Sequence, residues 1–219
     1  MSPSALSNER TAVRRRVPQQ TRSIERVERI LDAAASLVVE RGVERLSTRA
    51  VATAAGVPVA TLYQYFADKD EILLALVERD VAEMDAQVAA DLGALDVLSV
   101  RTVVETTMRA FVAVYLRRPA FVMIWLRGRT NPAINDFCRD HNRRVAADLL
   151  ALAREAGLVR PGTHRLHAEL AVEVGDRVFQ LAFEDKLRGD RATIAEGIAL
   201  VQSYLERHAT SAGLEGVRT

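Results

Sequence analysis

The chain has 219 residues, 49% hydrophobic and 27% charged, which allows one domain or two small domains with a buried core. Glycine and proline are sparse, and alanine, leucine, valine, arginine and glutamate dominate, so the composition favours helices and disfavours a β-sandwich. The single cysteine, Cys138, excludes an intramolecular disulfide, and no apolar run is long enough to span a bilayer. We therefore expect a cytoplasmic protein.

Charge is unevenly distributed along the chain, although the net charge is only +1. Residues 1–22 contain five arginines and one glutamate, among serine, proline and glutamine. This composition predicts a disordered basic arm over residues 1–21. A basic front on a nearly neutral body indicates an anionic partner, although basic tails are common.

Four helices are predicted over residues 27–93, and the second and third of them are short. Apolar residues at three- and four-residue spacing, followed by a glycine stop, predict the first helix: Val27, Ile30, Leu31, Ala34, Leu37, Val38 and Gly42. Ser47 is a suitable N-cap for a second helix that ends at Gly56. A third helix is predicted over residues 59–66, and a long fourth helix from Asp68 to Gly93.

The remainder of the chain also follows helical patterns. The predicted helices run from Ser99 to before Pro119, over residues 120–127, from Pro132 to Gly157, from Thr163 to about Gly189, and from Asp190 to about His208. No strand pattern or internal repeat interrupts them, so the predicted fold class is all-α. Residues 209–219 are expected to be a flexible tail.

Two short helices joined by a tight glycine turn, under a longer first helix, describe a helix-turn-helix unit. The second short helix of such a unit lies in the DNA major groove. In "VATLYQYF", Leu62 and Phe66 face the core, which leaves small and polar side chains outside. Gln64 can make a bidentate contact with adenine, and Val59 can touch a thymine methyl group. A plain three-helix bundle with surface tyrosines is the alternative.

Other groups nearby suit phosphate oxygens. Thr61, Tyr63 and Tyr65 carry hydroxyls, and Lys69 lies at the N-terminus of the next helix.

The segment "ILDAAASLVVERGVERLSTRAVATAAGVPVATLYQYFADKDEILLAL", residues 30–76, resembles the N-terminal domain of the TetR (tetracycline-repressor-like) family of bacterial transcription regulators. The resemblance is carried by "STRAVATAAGV", "TLYQYF" and "KDEIL", whereas the rest of the chain agrees only in plan. It implies a helix-turn-helix DNA-binding domain over residues 22–70 and a helical ligand-binding and dimerisation domain over residues 71–208. It also implies a homodimeric repressor that binds a pseudo-palindromic operator and is released by a small, largely apolar effector.

The resemblance also implies which residues contact DNA. These positions are Thr48, Arg49, Val59, Ala60, Thr61, Tyr63, Gln64, Tyr65 and Lys69. Pro58 stands where a capping serine is common, and Ala60 where glycine is frequent, so the cap lacks its side-chain acceptor but close approach to DNA stays possible. Arg14, Arg15, Arg16 and Arg22 of the basic region either reach the minor groove or phosphates, or belong to a solvated tail.

Apolar stripes mark the last two long helices and fit bundle packing. They consist of Leu170, Val174, Val178 and Leu181 on the first helix, and Ile194, Ile198, Val201 and Leu205 on the second. The resemblance implies that these helices form a dimer interface, but the stripes could equally be buried inside one chain.

Large side chains of the middle helices are candidates for the wall of an apolar pocket. They are Met108, Phe111, Tyr115, Phe121, Trp125, Phe137, His141 and Phe179. Each could instead be ordinary core, and Tyr115 and Trp125 are the best candidates because each has a donor that can orient a ligand. Cys138 and His141 share a helix face, but one cysteine and one histidine make a poor metal site, so neither a metal nor a cofactor is expected.

The sequence contains no phosphate-binding loop, nucleophile elbow, paired zinc motif or Rossmann glycine pattern, so an enzyme is not expected. The main hypothesis is a ligand-regulated repressor in which the long helix from Asp68 connects the two domains. The alternative is a helical regulator or interaction protein that acts without an effector.

Overall fold

The computed structural model describes residues 19–127 and 131–218, and most of these residues are helical. The elements in chain order are α1 (Gln19–Arg41), α2 (Thr48–Ala54), α3 (Val59–Leu62), α4 (Lys69–Gly93), β1 (Val97–Leu98), α5 (Val100–Arg117), α6 (Pro119–Phe121), a π-helical segment (Val122–Arg127), α7 (Pro132–Glu155), α8 (Arg165–Ala182), α9 (Arg191–Glu206), α10 (Ser211–Glu215) and β2 (Val217–Arg218). The predicted all-α class is confirmed. Within the described ranges, no helix is long and apolar enough to cross a membrane.

The described part of α1 begins inside the segment that was predicted to be a disordered arm. Helical structure is present from Gln19, and Arg22 is an exposed residue of α1. Arg14, Arg15 and Arg16 lie outside the described residues, so their predicted role stays a prediction.

Helices α1, α2 and α3 form one unit because each turns an apolar side towards the others. Val38 of α1, Val51 of α2 and Leu62 of α3 are all fully buried. The Ser47 side chain accepts a hydrogen bond from the Ala50 backbone N–H at 3.2 Å, which fixes the start of α2 as predicted.

Helix α4 leaves this unit and packs against both α1 and α5. Its start is fixed by Asp68, whose Oδ1 accepts hydrogen bonds from the backbone N–H groups of Asp70 and Glu71 at 2.8 and 2.9 Å. Its buried face runs from Ile72 to Met84. One continuous helix therefore connects the N-terminal unit to the rest of the molecule.

The second half of the chain is a bundle of α5, α7, α8 and α9. Tyr115 of α5 lies at its aromatic centre, with its ring 5.5 Å from those of Phe121 and Phe179 and 5.4 Å from that of Phe183. Helices α8 and α9 approach so closely at Gly197 that an added methyl group would overlap the Val178 side chain.

Helix α8 ends at Ala182, seven residues before the predicted end near Gly189, and its N-cap is His164 rather than Thr163. Residues 183–190 form a turn that is closed by a hydrogen bond of 2.7 Å from the Asp190 N–H to the Ala182 carbonyl. Gly189 has a φ of +67° in this turn. Phe183 packs in the core although the helix has ended, so the apolar pattern continues past the last helical residue. The predicted end of α8 was too late because it was based on that pattern.

Residues 208–218, here named the C-terminal strap, contain ordered structure, so the prediction of a flexible tail from residue 209 was wrong for the described residues. The Thr210 N–H and Oγ1 donate to the carbonyls of Leu158 and Gly157, at 3.0 and 2.7 Å. Strand β2 pairs antiparallel with β1, which precedes α5. These hydrogen bonds join the strap to the chain between α7 and α8 and to the strand before α5. Sequence periodicity does not reveal such contacts.

Candidate DNA interface and internal cavity

Helix α3 ends at Leu62, before the predicted end at residue 66, and together with the turn that follows it exposes Ala60, Tyr63 and Gln64, whereas Leu62 and Phe66 are buried beneath them. Thr61 is half-buried, and Val59 is half-buried against the core rather than fully outward. The prediction that Leu62 and Phe66 face the core is therefore confirmed. The surface that remains exposed to solvent is small and contains one amide and one phenol.

The start of α2 lies beside the end of α3. The hydroxyls of Thr48 and Tyr63 are 3.1 Å apart and share a hydrogen bond, and Arg49 next to them is exposed. Gly56, with a φ of +64°, makes the tight turn between the two helices possible. The structure thus brings these predicted DNA-contacting positions together.

Tyr65 is held by α1. Its hydroxyl accepts hydrogen bonds from Ser23 Oγ at 3.3 Å and from Arg26 Nη1 at 3.4 Å. The Ser23 hydrogen bond, followed by that of Arg26, lowers the pKa of Tyr65 below its ordinary value. The side chain is half-buried, so it ties α1 to the end of α3.

Lys69 is the first residue of α4 and is half-buried. The backbone N–H groups that follow it already bond to Asp68, and the Ala67 N–H donates to Glu71 Oε2 at 2.6 Å. An anion at this helix end would therefore meet the Lys69 ammonium rather than these amides. Pro58 gives α3 no side-chain cap, as the sequence indicated.

A cavity of about 110 Å³ lies inside the bundle. Five of the eight predicted lining residues face it: Met108, Phe111, Tyr115, Trp125 and Phe179. The other three lie elsewhere. Phe121 packs in the core against Tyr115 and Trp125, and Phe137 is half-buried with the Arg144 guanidinium 5.9 Å from its ring centre.

His141, the third of these, is buried behind Trp125. Its Nε2 lies 2.8 Å from Asp85 Oδ1 of α4, and its ring meets the Trp125 ring at 5.6 Å in an edge contact. Among the described residues, no group of three or more His, Cys, Asp or Glu side chains could hold a metal ion. His141 therefore connects α7 to α4 beside the cavity wall.

Polar groups of the cavity wall were missed at the sequence level. Trp125 Nε1 donates to Asp176 Oδ1 at 3.3 Å, and Gln180 Nε2 donates to Asp176 Oδ2 at 2.9 Å. The hydroxyls of Thr107 and Thr163 also belong to the wall and are buried. The sequence did indicate that Thr107 faces inward, because an apolar residue of the same α5 stripe lies four residues before it and another lies four residues after it.

A network of charges lies where α1, α4 and α6 meet. Arg79 of α4 donates to Asp32 of α1 at 2.8 Å, and Arg118, at the start of α6, donates to Glu83 of α4. Asp80, only 1% exposed, lies 3.4 Å from Arg79 and 3.8 Å from Arg118. Burial raises the pKa of Asp80 even though both guanidinium groups oppose that shift.

The two predicted interface stripes lie in different environments. On α8, Leu170, Val174 and Leu181 are exposed, and Val178 is half-buried. The α9 stripe faces the chain's own core: Ile198 and Val201 are buried, and Ile194 and Leu205 are half-buried. The sequence left open whether the α9 stripe is buried within one chain. In the structure it is.

The outward side of α9 instead presents Leu200, which is 54% exposed. Leu166 adds a further exposed leucine at the start of α8. We name the exposed apolar residues of these two packed helices, Leu166, Leu170, Val174, Leu181 and Leu200, the α8–α9 face.

Comparisons with known proteins match both halves of the chain. Residues 30–76 match the family described as bacterial regulatory proteins, tetR family, and residues 99–205 match the tetracyclin repressor-like C-terminal domain. Among solved structures, a TetR-family transcriptional regulator from Streptomyces coelicolor is 31% identical, with a TM-score of 0.68. That alignment covers 84% of this chain and 99% of the other.

Curated relatives agree with these matches. The HTH-type transcriptional repressor KstR of Mycobacterium tuberculosis is 41% identical over 63 residues, and this match spans only 29% of each chain. The uncharacterized HTH-type transcriptional regulator Rv1255c of the same species is 25% identical over 194 residues, which covers 86% of this chain and 91% of the relative.

Proposed function

Because the chain belongs to the TetR family of bacterial transcriptional regulators, we propose that it is a cytoplasmic repressor that binds operator DNA as a homodimer and releases it when a small molecule fills the cavity. The observation that carries the proposal is the surface formed by α3 and the turn that follows it. Its buried residues anchor the helix, and Ala60, Tyr63 and Gln64 remain outside where a major groove can receive them.

Each exposed group has a distinct role in this proposal. The Gln64 amide pairs with an adenine edge, and the small Ala60 lets the backbone approach DNA closely. Tyr63, held by Thr48, and the adjacent Arg49 bind phosphates, as does Lys69. Tyr65 positions α3 through α1, with its hydroxyl already bonded to Ser23 and Arg26.

The homodimer forms through the α8–α9 face. Exposed leucines and one valine recur along α8, and two copies related by a two-fold axis would bury them, together with Leu200 of α9, in a four-helix interface. That symmetry matches a DNA site made of two half-sites, because each subunit presents one α3.

Ligand release requires that the effector favour a domain arrangement in which the two α3 helices no longer match the half-sites. Trp125 faces the cavity and belongs to the π-helical segment that directly follows α6. Helix α6 packs on α1, and Arg118 at its start is paired with Glu83 of α4. A ligand at Trp125 can thus act on the DNA-binding unit through α6 as well as through α4.

Selection from a random duplex library with the purified full-length chain tests this function. We expect enrichment of a two-fold-symmetric motif, bound with an affinity that falls as salt rises. A folded dimer that enriches no motif would contradict the repressor assignment and favour a helical interaction protein. A motif that no small molecule displaces would leave the DNA-binding part standing and remove the effector part.

A further inference from the structure

The residues that line the cavity span several turns of helices α5 and α7. Along α5 its wall extends from Val100 to Tyr115, which corresponds to about 22 Å of helix at the usual rise per residue. Helix α7 contributes Asn142 through Ala153 to the opposite wall. A lining of this length suits an elongated molecule rather than a compact one.

Two hydroxyls in this wall lack a hydrogen-bond partner in the described structure. Thr107 Oγ1 and Thr163 Oγ1 are both buried, in residues only 6% and 5% exposed. A hydroxyl buried without a partner destabilises the protein, so a ligand atom that bonds to it gains affinity. Thr107 belongs to the α5 wall, whereas Thr163 precedes α8 and lines the cavity together with Leu158 and Val159.

The charge of the wall also constrains the ligand. Among the lining residues that the structure describes, none is lysine, arginine or histidine. Asp176 contributes a carboxylate, which accepts hydrogen bonds from Trp125 and Gln180. An anionic group would lose its hydration in an apolar cavity close to this carboxylate, which is unfavourable.

We propose that the cavity binds an elongated, uncharged and mainly apolar molecule with hydrogen-bonding groups that meet the hydroxyls of Thr107 and Thr163. This inference rests on the proposed function only in taking the cavity to be the effector site. The chain's single tryptophan, Trp125, lies in the wall, so its fluorescence reports binding directly and without DNA.

The test is a fluorescence titration of the full-length chain with three probes of similar length: 1-decanol, 1,10-decanediol and decanoate. We expect a saturable change with the alcohol and the diol, and binding of decanoate at least tenfold weaker. Thr107→Val and Thr163→Val should each weaken diol binding several-fold. Thr106→Val, at a neighbouring half-buried position outside the wall, should leave it unchanged.

Thermal unfolding of the unliganded variants distinguishes the loss of a ligand contact from the loss of the folded structure. Thr107→Val should be no less stable than the wild type, because it removes a hydroxyl that has no partner. If Thr107→Val does not fold, Thr163→Val carries the test. Equal binding by the wild type and both valine variants would overturn the hydroxyl assignment, and decanoate binding as tightly as decanol would overturn the charge assignment.

Failure of the inference is distinguishable from failure of the repressor proposal. If no probe changes Trp125 fluorescence, the ligand class is wrong, whatever the chain does with DNA. If the diol binds as expected but does not displace the selected duplex, the ligand class stands and effector release is wrong.

Discussion

Gln64 is an exposed residue of the turn after α3, and its amide can both donate to and accept from one base. Gln64→Ala should lower affinity for the selected duplex about tenfold and relax the preference at one base pair of each half-site, because a bidentate contact is worth about 1–3 kcal/mol. Repeating the selection with the variant measures both effects. An unchanged motif would show that Gln64 does not read a base.

Lys69 should behave differently, since a phosphate contact carries no sequence information. Lys69→Ala is expected to weaken binding to all duplexes alike and to reduce the slope of log affinity against log salt by about 1. Lys186→Ala, in the exposed turn after α8, is the matched control and should bind like the wild type. A changed base preference in the Lys69 variant would contradict a phosphate role.

Asp80 provides a prediction about pH. Because burial raises its pKa, folding favours the protonated carboxyl, so its contribution to stability is present at low pH and is lost as pH rises through the raised pKa. Asp80→Asn should therefore be at least as stable as the wild type at neutral pH, since Arg79 and Arg118 keep other partners.

Urea unfolding across the acid range measures this difference, which should shrink as pH falls towards the ordinary carboxyl range. The exposed Asp96→Asn is the control. A variant that is clearly less stable at neutral pH would show that the charged form of Asp80 stabilises the fold.

Single residues show how far the sequence could lead at this site. The buried pair Leu62 and Phe66 follows from four-residue spacing, so the exposed side of α3 could be predicted. The hydrogen bond that holds Tyr65 could not, because its partner Ser23 lies 42 residues away and only tertiary packing brings the two together.

The C-terminal strap depends on the close approach of α10 to the chain after α7. A methyl group added at Gly213 would overlap the Leu158 carbonyl oxygen, so backbone has to move. Gly213→Ala should destabilise the protein by about 1–3 kcal/mol, the usual range for overpacking. Gly162→Ala, with open space around it, is the control.

Thermal and urea unfolding of the two glycine variants measure the effect. Equal stability of Gly213→Ala and wild type would mean that the strap does not contribute to the fold. Ligand binding in the cavity is a second measurement of the effect. Leu158 lines the cavity, and the carbonyl of Leu158 accepts a hydrogen bond from the strap.

Element boundaries were predictable where a capping residue marks them, as Ser47, Asp68, Ser99, Asn131 and Asp190 do. They were not predictable where packing decides. The apolar residues of the turn after α8 continue the helical pattern, and the strap is held mainly by backbone hydrogen bonds that leave no periodic signal.

The proposed dimer depends on the α8–α9 face. Leu170→Lys together with Leu200→Lys should give a folded monomer, because two charges would be buried in an apolar interface. Loss of the second subunit should lower operator affinity at least about a hundredfold. Light scattering with far-UV circular dichroism measures mass and fold.

Leu214→Lys, at an exposed leucine of α10, is the matched control and should remain dimeric. A double variant that keeps its dimer mass would place the interface elsewhere. The apolar stripes of α8 and α9 could both be predicted from the sequence, but whether each is buried inside one chain or by a second copy could not, because periodicity identifies a face without saying what covers it.

Titration of the selected duplex, with the stoichiometry measured at low and high salt, tests whether the chain is a homodimeric operator repressor. A homodimeric operator repressor predicts two chains per symmetric duplex, and an affinity that falls at least about a thousandfold between about 50 and about 200 mM salt. One chain per duplex, or an affinity that depends on neither salt nor duplex sequence, would contradict it.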